Sequence, residues 1–224
     1  MFFYLTDWLF LPKHDCKMIK YPKAIKTSWQ NQLFISAPVL FLLRNHIMDA
    51  TISAGQDSIY LTLFKGFVII NLANLLFYCT HYLLHCKILF AHIHRIHHEF
   101  SNPVGASTYY AHPVEHLFSN VLVFAIPVII IGINYYAMLF LLVTGTFISV
   151  LAHSEYQLIP TIIEIFYLSI DKQSRPLGTS TEEYIKNIYG NNDHLAHHKY
   201  FNCNYGFGSY LDKLLGTHKS FSNF

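Results

Sequence analysis

The sequence predicts an all-α integral membrane helical bundle with a histidine-rich head gathered on one membrane face. Three observations carry that prediction. The 224 residues are 53% hydrophobic and 17% aromatic but only 12% charged, which does not describe an ordinary soluble surface. Apolar stretches of membrane-crossing length recur along the chain. Histidine, at 15 residues, outnumbers Asp and Glu together at 13, and most of it is clustered. A mean hydropathy of +0.30 excludes a disordered tail. A net charge of +2 provides no broad attraction for nucleic acid, so none is expected as a partner. Cys16, Cys79, Cys86 and Cys203 form no C-x-x-C pair and read as free thiols.

Two regions follow: an N-terminal basic, membrane-associated segment over residues 1–58 and a membrane domain carrying the histidine clusters over residues 59–224. In the first, MFFYLTDWLFLP is too short to cross a bilayer and lacks a signal-peptide pattern. Lys13, Lys17, Lys20, Lys23 and Lys26 then form a basic run of the kind retained in the cytoplasm. Trp29 to Met48 is apolar but interrupted by Pro38 and followed by Arg44, Asn45 and His46, which leaves both a crossing and a shallow dip open.

In the second region, Ile59 to Thr80 supplies 22 mostly apolar residues, enough for a core that needs roughly 20. Lys65 near its start can snorkel, whereas Asn71 and Asn74 need partners inside a bundle. Leu117 to Leu151 is too long for one helix and is broken by Gly132, Asn134, Tyr135 and Tyr136. It reads as a helical hairpin turning near Gly132 to Asn134, with arms of about 17 residues. Asp171 to Asp193 is polar enough to lie in water.

This topology sets the histidine geometry. A span ending near Thr80 delivers His81 and His85 to one face, and a hairpin returns the chain to that face at His153. A single crossing would strand His153 and everything after it on the far side. Lys87, Arg95, Lys172, Arg175 and Lys186 accompany the histidines, so the positive-inside rule makes that face cytoplasmic.

His81 and His85, in HYLLH, share a helical face at the spacing by which two imidazoles reach one metal. HRIHH adds His94, His97 and His98, and HLAHH adds His194, His197 and His198 at identical spacing. One H-x-x-H-H would arise by chance about 0.07 times in such a chain and two about 0.002 times, so the repeat exceeds compositional noise. Eight histidines are too many for one tetrahedral ion, and His112 and His153 stand near the ends of the hairpin, so two metals fit better than one. Imidazole suits iron, copper and zinc, and ligand count alone does not choose among them. No Glu has a His three positions later, so a di-iron site here would be ligated mainly by histidine. Glu99, Glu115, Glu155 and Asp193 are placed to fix imidazole tautomers instead.

HYLLH, HRIHHEF with Pro103, YAHPVE (Tyr110 to Glu115), His153 after a hairpin, HLAHH, NYG (Asn204 to Gly206) and LDKLLGT (Leu211 to Thr217) together resemble the fatty acid hydroxylase and sterol desaturase superfamily. Within it, HHE followed by YAHPVE is most similar to the 4-methylsterol oxidases. The resemblance spans roughly Leu61 to Thr217. It implies an endoplasmic-reticulum enzyme in which His81, His85, His94, His97, His98, His194, His197 and His198, with His112 and His153, hold two iron ions; zinc is an alternative occupant. It also implies dioxygen as co-substrate, a sterol or other membrane lipid as substrate, and electrons from a cytochrome b5-like donor and an NAD(P)H reductase. A fatty-acyl or ceramide hydroxylase or desaturase is the alternative. The chain departs from the pattern at its shorter N-terminal region, at Leu211 where an aromatic residue often stands, and at Glu155 where Gly is usual.

Other readings compete at single positions. His112 precedes Pro113 and could simply pack at a helix start. His153 could be a buried hydrogen-bonded imidazole. His116 is expected in a supporting role, His92 facing outward, and His14, His46 and His218 at ordinary surface positions. Tyr109 and Tyr110 fit a lipid entrance or an aromatic belt, and Asn204 to Gly206 a turn that holds the last histidine cluster. A metal transporter would need a polar path, but the spans offer only Asn71, Asn74 and Asn120. A catalytically silent scaffold is opposed by the intact motifs.

Overall fold

The computed structural model describes residues 16–101, 103–153 and 193–219, and these form helices joined by short connections. No strand occurs among the described residues. Helices α1 (Cys16–Asn31) and α2 (Ala37–Ser53) are continuous through a π-turn at Gln32–Ser36. Pro38 explains the turn: it cannot donate to the helix ladder, and the widened Ala37 N–H to Gln32 carbonyl bond absorbs the defect. The region left open between crossing and dip is thus one uninterrupted rod over Tyr21–Ser53, long and apolar enough to cross a membrane.

Helix α3 (Ile59–Leu84) starts where Ser58 accepts the Leu61 N–H at 3.3 Å. Lys65 reaches back to Asp57 at 2.6 Å, pairing its charge at the helix start. Helix α4 (Lys87–His92) and a 3-10 segment, His94–Glu99, follow. Helix α5 (Pro113–His116), a second π-turn (Leu117–Val121) and α6 (Leu122–Ile131) make one arm of the hairpin, and α7 (Tyr135–Ala152) makes the other. The reversal at Gly132–Asn134 lies where the sequence places it. Asn134 caps α7 through the Tyr136 N–H at 2.9 Å. Gly132 has φ +65°, and a β-carbon there would meet the Ala50 carbonyl oxygen at 2.9 Å, so glycine is required twice over. Helices α8 (Asp193–Tyr200) and α9 (Ser209–Leu215) complete the described chain.

Among the described residues four helices are long and apolar enough to cross a membrane. Ile69, Val128 and Ile133 pack between α3 and the hairpin, while Phe64, Phe67, Phe140 and Val143 point outward, each more than 60% exposed. Apolar side chains on both the inner and outer faces suit a bundle whose solvent is lipid. MFFYLTDWLFLP, Lys13, His14, Glu155, Lys172, Arg175, Lys186 and the whole polar stretch before Asp193 lie outside the described residues, as do the side chains of Cys16, Lys17 and Lys20.

Candidate metal centre

The histidines near the end of α3, in the 3-10 segment, at the end of α7 and on α8 meet in two groups. His81, His85, His94, His98 and His197 form one; His97, His153, His194 and His198 form the other. Within each group the candidate ligand atoms all lie within 4.8 Å of one another. In the five-residue group the Nε2 atoms of His81 and His94 are 3.1 Å apart, those of His94 and His98 3.0 Å, and those of His98 and His197 3.2 Å. His85 joins through His197 at 3.2 Å. In the four-residue group the Nε2 pairs His153–His194, His194–His198 and His97–His153 measure 2.9, 3.1 and 3.3 Å.

The opposite ring nitrogens of six of these histidines face oxygen atoms. Nδ1 of His81 donates to the Tyr205 carbonyl at 2.7 Å, that of His197 to Cys203 at 2.6 Å, and that of His198 to Phe100 at 3.1 Å. His97 donates to Tyr110 at 3.1 Å and His153 to Ser149 at 2.8 Å. His94 Nδ1 lies 2.9 Å from Glu115 Oε1. A carbonyl oxygen cannot donate, so each Nδ1 facing one carries the proton and a neutral ring leaves a lone pair on Nε2.

Neutrality is enforced by burial. It pushes His85 and His97 down to about 4 and His153 to about 3, and it lowers His94, His98, His194, His197 and His198 as well, with neighbouring imidazoles adding to the effect in all of these but His97. The His97 and His153 lone pairs, 3.3 Å apart, repel unless a cation lies between them. The donor set therefore fits two cations, each surrounded by imidazole nitrogens.

The two H-x-x-H-H motifs interleave. His94 and His98 serve the five-residue group while His97 turns to the other; His194 and His198 serve the four-residue group while His197 crosses back. Nine of the ten histidines expected as ligands are thus brought together. His112 is not. It is the N-cap of α5, its Nδ1 accepting the Val114 N–H at 3.2 Å, because Pro113 opens the helix and leaves that amide without an intrahelical partner. His116 holds Ser36 at 2.8 Å, joining the two π-turn regions. His92 is exposed and bonds the Ile88 carbonyl.

Of the acids expected to fix tautomers, Glu115 lies beside an imidazole of the groups, that of His94. Glu99 instead accepts from Lys23 at 2.8 Å and from the Tyr110 hydroxyl at 2.6 Å. Asp193 lies 3.4 Å from His218.

One supporting residue escapes sequence reasoning. Asp212, buried to 1% exposure, accepts from the Tyr205 and Gly206 amides at 2.7 and 2.9 Å and from the Thr217 hydroxyl at 2.7 Å. It braces the loop whose Cys203 and Tyr205 carbonyls hold His197 and His81, and Asn204 turns that loop with φ +56°. The expected turn at Asn204–Gly206 thus exists, and its backbone oxygens are its working parts.

A family model described as fatty acid hydroxylase matches residues 66–217, which contain every histidine of both groups. The chain belongs to the fatty acid hydroxylase family. It is 26% identical over 205 residues to the human fatty acid hydroxylase domain-containing protein 2, covering 91% of this chain and 54% of that protein. It is 34% identical over 148 residues to fatty acid hydroxylase ahd1 of Mycosarcoma maydis, covering 65% and 31%. Over 157 residues it is 30% identical to the very-long-chain aldehyde decarbonylase GL1-11 of Oryza sativa subsp. indica, covering 68% and 51%. The chain thus spans about half the length, or less, of these relatives. No solved structure matches it.

Both histidine groups open on apolar space. A cavity of about 300 Å³ runs between α3, the hairpin and the loop after α8, with His81, His94, His97, His153 and His194 on its wall. Its lining reaches from His81 back to Ile69 on α3, and from His153 back to Leu141 on α7, about 18 Å along each helix. Tyr109 lines it too, donating to Thr146 at 3.3 Å, whereas Tyr110 is buried away from it in a cluster with Phe100 and Val104.

Proposed function

We propose that this protein is a multi-pass membrane oxygenase that uses dioxygen and two iron ions to oxidise an aliphatic carbon of a membrane lipid. The observation that carries the reading is the pair of converging Nε2 nests on the wall of a long apolar cavity. His81, His85, His94, His98 and His197 would hold one ion, and His97, His153, His194 and His198 the other. Bound iron supplies the activation of dioxygen that side chains alone cannot perform.

The chain's own residues do the rest. The carbonyl partners of the His81, His97, His153, His197 and His198 Nδ1 atoms fix those tautomers, so the orientation of these ligands is set before metal arrives. Glu115 stands behind His94, its Oε1 2.9 Å from Nδ1, where it helps to orient that ring. Ile69, Ala73, Phe77, Phe124 and Leu141 admit an apolar chain and exclude water, keeping reactive oxygen from side reactions. Lys87 and Arg95 on the histidine side support a cytoplasmic head, in the endoplasmic reticulum of a eukaryotic cell, where a cytochrome b5-like donor and its NAD(P)H reductase deliver electrons.

A 4-methylsterol is the first substrate to offer, since HHE and YAHPVE resemble the oxidases of such sterols and the relatives include a methylsterol monooxygenase-like protein. A fatty-acyl or ceramide substrate is the second reading. It is favoured by the longer similarity to a fatty acid hydroxylase and an aldehyde decarbonylase. The test is purification from iron-replete cells, metal analysis, and reconstitution with reductase, donor, dioxygen and each lipid class. Two irons per chain with an oxidised sterol is the expected result. An oxidised acyl chain moves the substrate to the second reading, and iron-loaded, reduced protein that oxidises neither sinks the oxygenase.

A further inference from the structure

Helix α9 makes contacts that place it at an unexpected depth. Its Tyr210 hydroxyl donates to Asn71 Oδ1 at 2.9 Å, and just before it the Phe207 amide donates to Asn74 Oδ1 at 2.8 Å. Phe207 also stacks on Phe77, ring centroids 3.9 Å apart. All three partners sit on α3, whose 26 residues are about 39 Å long. A hydrocarbon core is about 30 Å thick, so at most about 9 Å of α3 can project from it. Asn71 lies 13 residues, about 20 Å, before the histidine end of α3. If α3 crosses upright, Asn71 and the Tyr210 hydroxyl beside it are therefore at least about 10 Å inside the core.

The chemistry at that depth agrees. Asn71 donates its own amide to the Phe67 carbonyl at 2.8 Å and accepts from Tyr210. These bonds give Asn71 and Tyr210 polar partners, as hydrocarbon demands and water does not. On the inner side of α9, Leu211 and Asp212 are buried. On the other side Tyr210, Leu214 and Leu215 are 48%, 78% and 53% exposed, Tyr210 and Leu214 at the i, i+4 spacing of one helical face, and Phe207, just before the helix, is 54% exposed. Lys213 alone interrupts this face, and its stem is long enough to carry the charge outward.

We propose that Phe207–Leu215 is a re-entrant element immersed in the bilayer, its apolar face covered by lipid acyl chains. The cavity lining includes Gly206 and Phe207, so this element is also part of the wall between the cavity and the surrounding lipid. The alternative occupant of the same face, a docked electron-donor protein, requires it to stand in water when alone.

The proposal rests on α3 crossing the membrane, and the experiment separates the two. The full chain, with Trp8→Phe and Trp29→Phe to clear the background, is placed in phosphatidylcholine nanodiscs carrying Leu214→Trp, with Leu215→Trp as a second reporter. Phe67→Trp reports on α3 and Lys199→Trp on the water-facing head. The expected result is that the reporters at 214, 215 and 67 emit blue-shifted light, lose most of it to lipids brominated on the acyl chain, and resist aqueous iodide. The reporter at 199 behaves in the opposite way. Quenching by brominated lipid at 67, with iodide quenching at 214 and 215, overturns the proposal and leaves the donor-docking alternative. Failure at 67 as well removes the crossing and the proposal with it.

Discussion

The two histidine groups are built from the same side chain but are backed differently. The five-residue group has a carboxylate beside one ring, Glu115 at His94, and a loop braced by buried Asp212 behind two more. The four-residue group leans on backbone carbonyls alone at its three recorded contacts: Tyr110 for His97, Ser149 for His153 and Phe100 for His198. A carboxylate at the imidazole N–H raises ligand basicity more than a neutral carbonyl does, and the Asp212 brace fixes where two of those carbonyls point. The lesson is that two histidine groups sharing interleaved motifs need not be supported equally.

The largest effect should come from ligand count. With four donors, the smaller group has none to spare for a tetrahedral ion, while the larger has one more than that geometry needs. His153→Ala should therefore cost one metal equivalent per chain and abolish lipid oxidation. His85→Ala should retain most of both equivalents; metal analysis of the purified variants reads the difference, and equal losses would erase the comparison.

Acid should strike both groups together. His85, His97 and His153 stay neutral in the fold down to about 4, 4 and 3, whereas an unfolded chain binds protons below about 6.5. The stability these groups contribute is present above pH 6.5 and is lost as pH falls toward 4, by up to about 1.4 kcal/mol per pH unit for each histidine. Denaturant titrations across that window check the sign, and stability that rises on acidification contradicts it.

Next comes the carboxylate. Glu115→Gln should weaken metal at the five-residue group by about 10- to 100-fold and leave the other unchanged, as read by chelator competition. Asp212→Asn disturbs the same group from further away. It should lower unfolding stability by about 1–3 kcal/mol, through amides left poorly paired, and loosen His81 and His197 without removing a ligand. The smallest effect is expected at His112, where alanine should cost at most about 1 kcal/mol of helix capping and no metal.

Much of this was legible in the chain because it is encoded by side-chain identity. H-x-x-H-H, repeated, marks ligands, and Gly132 with Asn134 marks a reversal. The backing was less legible because it is made largely of main-chain oxygens. Nothing in the identity of Cys203, Tyr205 or Phe100 announces a carbonyl aimed at an imidazole, and Asp212 looks like an ordinary acid in a short amphipathic helix. The motifs also conceal which neighbour goes where: only the folded backbone sends His97 away from His98, and His197 away from His198. His112 misleads for the converse reason. Its side-chain type fits a ligand, but its position before Pro113 assigns it to the helix start.

Gly132 has a longer reach than its size suggests. It stands about 27 Å along α7 from His153 and touches no ligand, yet its missing β-carbon lets the chain turn against Ala50 and head back. Everything that arrives at the head after that bend, from His153 through His198, inherits its address from the bend. A bulky residue there would be a lesion at the opposite boundary of the bilayer whose symptom is a missing ion.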